Sequence, residues 1–543
     1  MRLSYLFTTV FLYTGHAALA SPPNIVDLGY ASYLGNQSFP NTVAYLGIPY
    51  AEPPLGGLRF RAPLPLNTTR VTVSTGNNVV DATQYPDFCI QGSVSGKPIL
   101  HRGAGSEDCL KVNIYAPAGA IPGDNLPVLV YIHGGGYVYG NPRNWPFDHW
   151  IHQSPNVVIV SVYYRLDAFG FLAVPDFSDP TNGDFNAGYQ DQIQALKWVQ
   201  KYISAFGGDP KQVTINGESA GGSSVELHLV DHESEQLFAR AIAQSVYRAP
   251  LPTPAQQKPL FEFFAAFVGC NSSSVPQQLS CLREAPVSML ARAQDNASNG
   301  AFQGPYNAFH PVQDGQLIRD HPTSSILKGQ FRAVPLIVGS TSNETLSGGT
   351  DIGASLEQFF PNLSNASIEK LLQVYPADEF ENGDQRYRVV TGESELICAR
   401  TIMGEAWAEH GPTFTYRYNQ ADPTSSDPTV VGHAAENYMM FLGTETGNNG
   451  STTFYPMNAT QIAFAEELIA YWLSFVRSGD PNTYKLSRSP LWVPFTLGSK
   501  RRIVLQEGPP ASNNVSGSYI EAEPEQENAR CHFVAGRVDG EQN

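Results

Sequence analysis

Four short runs of apolar and β-branched residues stand out along the chain, at residues 127–132, 212–216, 334–339 and 414–418. Each is too short for a core helix and reads as a buried strand. The run Gln212-Val213-Thr214-Ile215-Asn216 turns at once into residues 220–229, which can start a helix. A second helical stretch covers residues 402–409. Strands alternating with helices predict an α/β fold with a large, mostly parallel sheet. No linker, repeat or low-complexity run is long enough to divide the chain. Residues 21–543 are therefore expected to form one large domain with loop insertions.

The first 20 residues follow a different pattern. Arg2 precedes an apolar run from Leu3 to Tyr13, and Ala18-Leu19-Ala20 supplies a small-residue cleavage site. This predicts a secretory signal peptide at 1–20, since the apolar run is too short for a membrane span. The polar C-terminus carries no hydrophobic anchor signal. A soluble, extracellular product is expected. The formal net charge of −17 disfavours nucleic acid or an anionic membrane as partner.

Six cysteines in a secreted chain predict three disulfides. About fifteen pairings are open. Proximity favours Cys89–Cys109 and Cys270–Cys281, leaving Cys398–Cys531. Sequons for N-glycosylation fall at Asn36, Asn67, Asn271, Asn296, Asn343, Asn362, Asn365, Asn449, Asn458 and Asn514.

The chemistry begins where the strand at 212–216 meets its helix. Gly217-Glu218-Ser219-Ala220-Gly221 is a G-x-S-x-G nucleophile elbow. Flanking glycines let strand and helix approach closely enough to lift Ser219 clear of the sheet. The strand at 127–132 runs into His133-Gly134-Gly135-Gly136. The N–H groups of Gly135 and Gly136, with that of Ala220, would form a three-donor oxyanion hole. In this chain order an acid and then a histidine should follow the serine. Glu344 lies just beyond the strand at 334–339, with Asp351 and Glu357 as rivals further from the strand end. Among His410, His433 and His532, the loop position of His433 suits a general base.

These motifs together resemble the type-B carboxylesterase/lipase family of α/β-hydrolases, which includes cholinesterases and secreted fungal lipases. The resemblance runs through most of residues 21–543. It rests on Gly47-Ile48-Pro49-Tyr50-Ala51-Glu52-Pro53-Pro54 with Leu58-Arg59-Phe60, and on Ser106-Glu107-Asp108-Cys109-Leu110. It also rests on Tyr164-Arg165-Leu166-Asp167-Ala168-Phe169-Gly170-Phe171 and Gly479-Asp480-Pro481-Asn482. It implies Ser219, Glu344 and His433 as the catalytic residues, with no metal or organic cofactor. His433, Glu436 and Phe441-Leu442-Gly443 are similar to the family's histidine loop. The three favoured cysteine pairs match family disulfides, and Arg59–Glu107 and Arg165–Asp191 match buried ion pairs. Thr345 stands where the family usually has glycine, and so creates the sequon at Asn343. A glycan there is not expected beside a buried acid.

The implied activity is hydrolysis of a small-molecule carboxylic ester through an acyl-enzyme. The loop from Ile90 to Asp108 contains no Trp, Tyr or Phe, which argues against cation–π recognition of a choline ester. Its short, polar character favours short- to medium-chain or aromatic-acid esters. A lipase or sterol esterase on long-chain acyl esters is the alternative. A non-catalytic adhesion protein of the cholinesterase type would have lost the serine, acid or histidine, and all are present.

Overall fold

The computed structural model describes residues 24–76, 78–91, 105–446, 452–510 and 515–543. The expected signal peptide at 1–20, most of the polar loop at 90–108, and the sequons at Asn449 and Asn514 lie outside the described residues.

Among the described residues, thirteen strands form one mixed sheet. Its centre is parallel, in the spatial order Val158–Val162, Leu126–Ile132, Gly208–Glu218, Arg240–Gln244, Leu336–Thr341, Thr413–Tyr418 and Arg501–Leu505. Antiparallel strands extend it at both ends. The parallel strands are covered on both faces, which explains their nearly unbroken apolar sequence. Val128, Val130 and Ile132 pack into one core with the helix Ala187–Tyr202. Leu129 and Tyr131 pack on the other face, in a core shared with the helix Ala459–Ser478.

The strand predicted at 334–339 forms at Leu336–Thr341. Pro335 has no N–H to give to the ladder, and pairing starts with Leu336 N, which donates to Pro412 O at 3.0 Å. The helical stretch read at 402–409 begins earlier, as Cys398–Trp407. The favoured disulfides Cys89–Cys109, Cys270–Cys281 and Cys398–Cys531 all form.

Chain order places a crevice at one point of this sheet. From Leu126–Ile132 the chain passes to Val158–Val162 on one side, then crosses to Gly208–Glu218 on the other. The carboxyl ends of Leu126–Ile132 and Gly208–Glu218 lie side by side, with Ile132 opposite Gly217. A reversal of this kind leaves an opening beyond the strand ends, where ligands bind in open α/β sheets.

Two ion pairs hold the loops around this end. Arg59 Nε reaches Glu107 Oε1 at 2.6 Å, and Arg59 Nη1 donates to the carbonyls of Leu282 and Ala285. Arg165 clamps Asp191 through Nε at 2.8 Å and Nη2 at 2.7 Å, with Asp191 fully buried. Arg165→Met would strand that carboxylate without its partner and is expected to lower stability by about 3–5 kcal/mol. Urea denaturation of the purified variant measures this, and a loss below about 1 kcal/mol would contradict the role given to the pair.

Candidate functional site

The strand Gly208–Glu218 ends on Ser219, and the helix Ala220–Val230 starts one residue later. Ser219 takes φ 59° and ψ −123°, a conformation that costs a non-glycine residue about 1–3 kcal/mol. Backbone contacts on both sides hold it there. Ser219 N donates to Gln244 O at 3.0 Å, and Ser219 O accepts from Ser223 N at 2.9 Å. The turn is possible because position 221 has no side chain. A Cβ there would lie 2.0 Å from the carbonyl oxygen of Ile132.

The loop after Leu126–Ile132 crosses directly over this turn. Gly135 has φ +108°, and a Cβ on it would lie 2.1 Å from Tyr139 O. Gly134 sits against Ser219 itself, so Gly135 and Gly136 are the next backbone units along the crevice. The loop is braced by His133, whose ring stacks on Tyr164 at 4.5 Å and on Trp145 at 5.8 Å. Burial pushes His133 down to about 4 and keeps it neutral. On the other side, Ala220 is the first residue of its helix, where an N–H has no intrahelical acceptor and the helix dipole favours negative charge.

The structure brings Glu344 and His433 to Ser219. His433 Nε2 lies 2.8 Å from Ser219 Oγ, and His433 Nδ1 lies 2.6 Å from Glu344 Oε2. The other carboxylate oxygen of Glu344 accepts from Ser245 Oγ at 2.5 Å and from Thr341 N at 2.8 Å. The loops bearing the two residues are pinned together. Val431 O accepts from Asn343 N at 3.0 Å and from Thr341 Oγ1 at 2.9 Å, while Val431 N donates to Asn343 Oδ1 at 3.0 Å. The rival residues go elsewhere. Asp351 caps the helix Ile352–Phe359 through Ala354 N, and Glu357 is exposed. His410 packs on Phe331, and His532 bonds Glu405 at 2.8 Å.

Two buried carboxyls complete the electrostatics: Glu218, assigned no role from sequence, and Glu436, noted there only for its likeness to the family's histidine loop. Glu218 Oε1 is 3.4 Å from His433 Nε2, and Glu436 Oε1 is held by Gln244 Nε2 at 3.4 Å. Burial pushes Glu218 up to about 7, against the attraction of His433. Burial and the charges of Glu218 and Glu344 push Glu436 up to about 8. Burial alone would depress His433, but the charges of Glu344, Glu218 and Glu436 raise it to about 9. Near neutral pH, Glu218 and Glu436 carry protons in part of the population and withhold some of that charge. Glu344 behaves oppositely to its acidic neighbours. Burial would raise it, but the charge of His433 and the donors Ser245 and Thr341 hold it below its ordinary value. Glu218 is the variable second position of the elbow motif and Ser245 follows a neighbouring strand end, so only their places relative to strand ends could have drawn attention to them.

A cavity of about 330 Å³ adjoins the site, lined by Tyr247, Tyr306, His310, Leu346, Ser347 and Phe359. Tyr247 N donates to Ser219 O at 3.3 Å. Two larger clefts, of about 480 and 600 Å³, share His232, Leu317 and Arg319. The second is lined by Leu227, Leu229 and Val230, from the far end of the helix that Ser219 begins. That end lies about 16 Å along the axis. None of the three cavities is lined by Ser219, Glu344 or His433 themselves. The smaller one is lined by their neighbours, Leu346 and Ser347 just after Glu344 and Tyr247 bonded to Ser219 O, and so lies beside the site.

The profile of the carboxylesterase family matches residues 24–533. Mouse Carboxylesterase 1E is 31% identical over 89% of this chain and 91% of its own length. Mouse Cholinesterase is also 31% identical, over 85% of this chain and 79% of its own. The crystal structure of Aspergillus niger EstA superposes with a TM-score of 0.83 at 29% identity, covering 96% of this chain and 99% of that one. Likeness of this extent, in sequence as well as in fold, shows that the chain belongs to the carboxylesterase family and is a carboxylic-ester hydrolase with the α/β-hydrolase fold.

Proposed function

We propose that this chain hydrolyses short- to medium-chain or aromatic-acid esters through an acyl-enzyme on Ser219. The observation that carries the reading is the unbroken hydrogen-bonded line from Ser219 Oγ through His433 to Glu344. The base is the neutral form of His433, whose share grows as pH rises toward about 9: with Nδ1–H donated to Glu344, its Nε2 is the acceptor for the serine hydroxyl. As Oγ attacks the ester carbonyl, His433 takes its proton and Glu344 stabilises the imidazolium. The N–H groups of Gly135, Gly136 and Ala220 receive the oxyanion, each donor worth about 3 kcal/mol in the transition state. His433 then protonates the leaving alcohol, and water repeats the sequence on the acyl-enzyme.

The adjoining cavity supports a small acyl or alcohol group. At about 330 Å³ it sits at the lower end of the usual range for ligand pockets. Its aromatic walls suit a ring as well as a short chain. The long-chain alternative has one feature in its favour: Leu346, on the cavity rim, and Leu442, in the loop after His433, are 41% and 42% exposed.

The reading includes secretion, a single domain over residues 21–543, and N-glycosylation. Three disulfides persist most readily in an oxidising compartment. No helix among the described residues is long and apolar enough to cross a membrane. Both core clusters share one sheet.

Ser219→Ala is expected to lower kcat on p-nitrophenyl butyrate by about six orders of magnitude. The wild-type enzyme should show a higher kcat/KM on the butyrate than on the palmitate. The reverse order would transfer the assignment to a lipase, and an active Ser219→Ala protein would refute the mechanism. Glu218→Gln removes negative charge near His433 and therefore lowers the histidine's pKa. Neutral base then survives to lower pH, and the acid limb of the kcat/KM profile should move down by about one pH unit. An unmoved or upward-shifted limb would rule out this coupling. In protein from a eukaryotic secretory host, peptide mass spectrometry should find Asn343 unmodified. Asn343 is half-buried and its side-chain oxygen accepts from Val431 N, which fixes the amide against the loop, whereas Asn36 is exposed and open to glycosylation.

A further inference from the structure

The loop that follows Glu344 is gripped from behind by one stretch of helix. Thr345 Oγ1 lies 2.8 Å from Thr391 Oγ1, so the residue that departs from the family pattern has a partner of its own. Gly392 presses against the preceding unit, since a Cβ on it would lie 1.8 Å from Glu344 O. Glu395 takes hold of the next two residues. Its carboxylate accepts from Leu346 N at 2.7 Å, from Ser347 N at 3.1 Å and from Ser347 Oγ. The carboxylate is inside the protein, and Glu395 is 0% exposed.

Glu395 reaches this loop because the helix is widened there. Residues Glu393–Ile397 form a π-helical turn between the α-helices Gly383–Gly392 and Cys398–Trp407. An inserted turn of this kind rotates the side chains that follow it, and it recurs at functional sites. The turn is itself anchored. Arg248 N donates to Glu395 O at 2.9 Å, and Arg248 Nη1 donates to Ser394 O at 2.6 Å. Arg248 is fixed in turn by a fully buried ion pair with Glu541 at 2.9 Å.

The two residues held by Glu395 line the cavity beside Ser219. Neither Leu346 nor Ser347 belongs to the serine–histidine–glutamate line, and Glu395 contacts no member of it by hydrogen bond. The grip therefore bears on the shape of the cavity, while the charge of Glu395, which also acts on His433, affects every ester alike. We propose that Glu395 is a positioning residue that fixes Leu346 and Ser347 as one wall of the substrate cavity and so selects among esters by acyl size. The inference rests on the reading that this cavity receives part of the ester. Leu346 N and Ser347 N share one carboxylate oxygen and the Ser347 hydroxyl meets the other. Glutamine could keep these partners only by reversing the Ser347 hydroxyl, and it gives up the negative charge that strengthens all three bonds.

The test uses the full-length enzyme as wild type, Glu395→Gln and Ser347→Ala. kcat and KM are measured on p-nitrophenyl acetate, butyrate and octanoate, and Ser219 is labelled with a fluorescent organophosphonate. With the wall released, Glu395→Gln should raise the octanoate-to-acetate ratio of kcat/KM about tenfold, the worth of one hydrogen bond to a charged group. The change should fall mainly on the KM for octanoate, and labelling should still go to completion. Ser347→Ala keeps two of the three donors and should shift the ratio the same way by a smaller factor. An unchanged ratio in a folded Glu395→Gln protein would overturn the proposal. So would equal losses on all three esters, which a merely structural role would produce. If Glu395→Gln shows no cooperative melting transition, the direction of the Ser347→Ala shift decides. Failure of the wild type to label, or labelling of Ser219→Ala, would instead refute the functional reading on which the proposal stands.

Discussion

The space beside the carbonyl of Ile132 is too small for any side chain on residue 221, and the site is built on that restriction. Because the helix after Ser219 can press against the end of the neighbouring strand, the turn between them is tight enough to hold Ser219 at positive φ. The strained residue is held between sheet and helix, since Ser219 N donates to Gln244 O and Ser219 O accepts from Ser223 N. A rigid sheet with apolar strands on both sides can carry such a load, whereas a surface loop would relax. Gly134 fits against the same turn from the other direction, where a Cβ would lie 2.6 Å from Glu218 O. Strand order, small residues and a strained serine are thus aspects of one packing solution.

Negative charge is the second organising theme. Glu218, Glu344 and Glu436 all face one histidine from within the protein, and burial treats them differently. Glu344 has two donors of its own besides His433 and remains the ionised member. Glu218 and Glu436 lack comparable support and are pushed toward protonation. Environment therefore separates three chemically equivalent side chains into distinct electrostatic roles.

Legibility in the sequence followed the range of the interactions. Ser219 and the glycines at 134–136 belong to local strand–turn patterns, and the chain around them displays their geometry. Glu344 could be found by counting from a strand end, because a strand fixes direction and spacing. His433 had two rival histidines, and its loop position separated it from one near a helix end and one beside a cysteine. Ser245 and Glu395 were beyond such reasoning. Ser245 matters because the strand it follows, Arg240–Gln244, lies next to the strand that precedes Glu344, Leu336–Thr341, and strand order is not written locally. Glu395 looks like any acidic residue on a helix, since only a widened turn and a partner loop about 50 residues away give it meaning. The strand boundary at Leu336 was misplaced for a simpler reason: Pro335 is apolar but cannot donate to a ladder.

The grip of residues 391–395 on residues 344–347 has a consequence for how this scaffold can change over generations. One short loop carries two responsibilities in series: its first residue orients the imidazole, and its next ones bound the cavity. The side-chain contacts of the two parts differ. The Glu344 carboxylate is tied to Ser245 and Thr341, whereas Leu346 and Ser347 are tied to Glu395, and only Gly392 of the rear support presses on Glu344 itself. On the proposed reading, change at Glu395 can therefore remodel the cavity wall while change at Gly392 would disturb the glutamate as well. Diversification and conservation are assigned to opposite sides of the same loop, and a descendant could acquire a new diet without reinventing its chemistry.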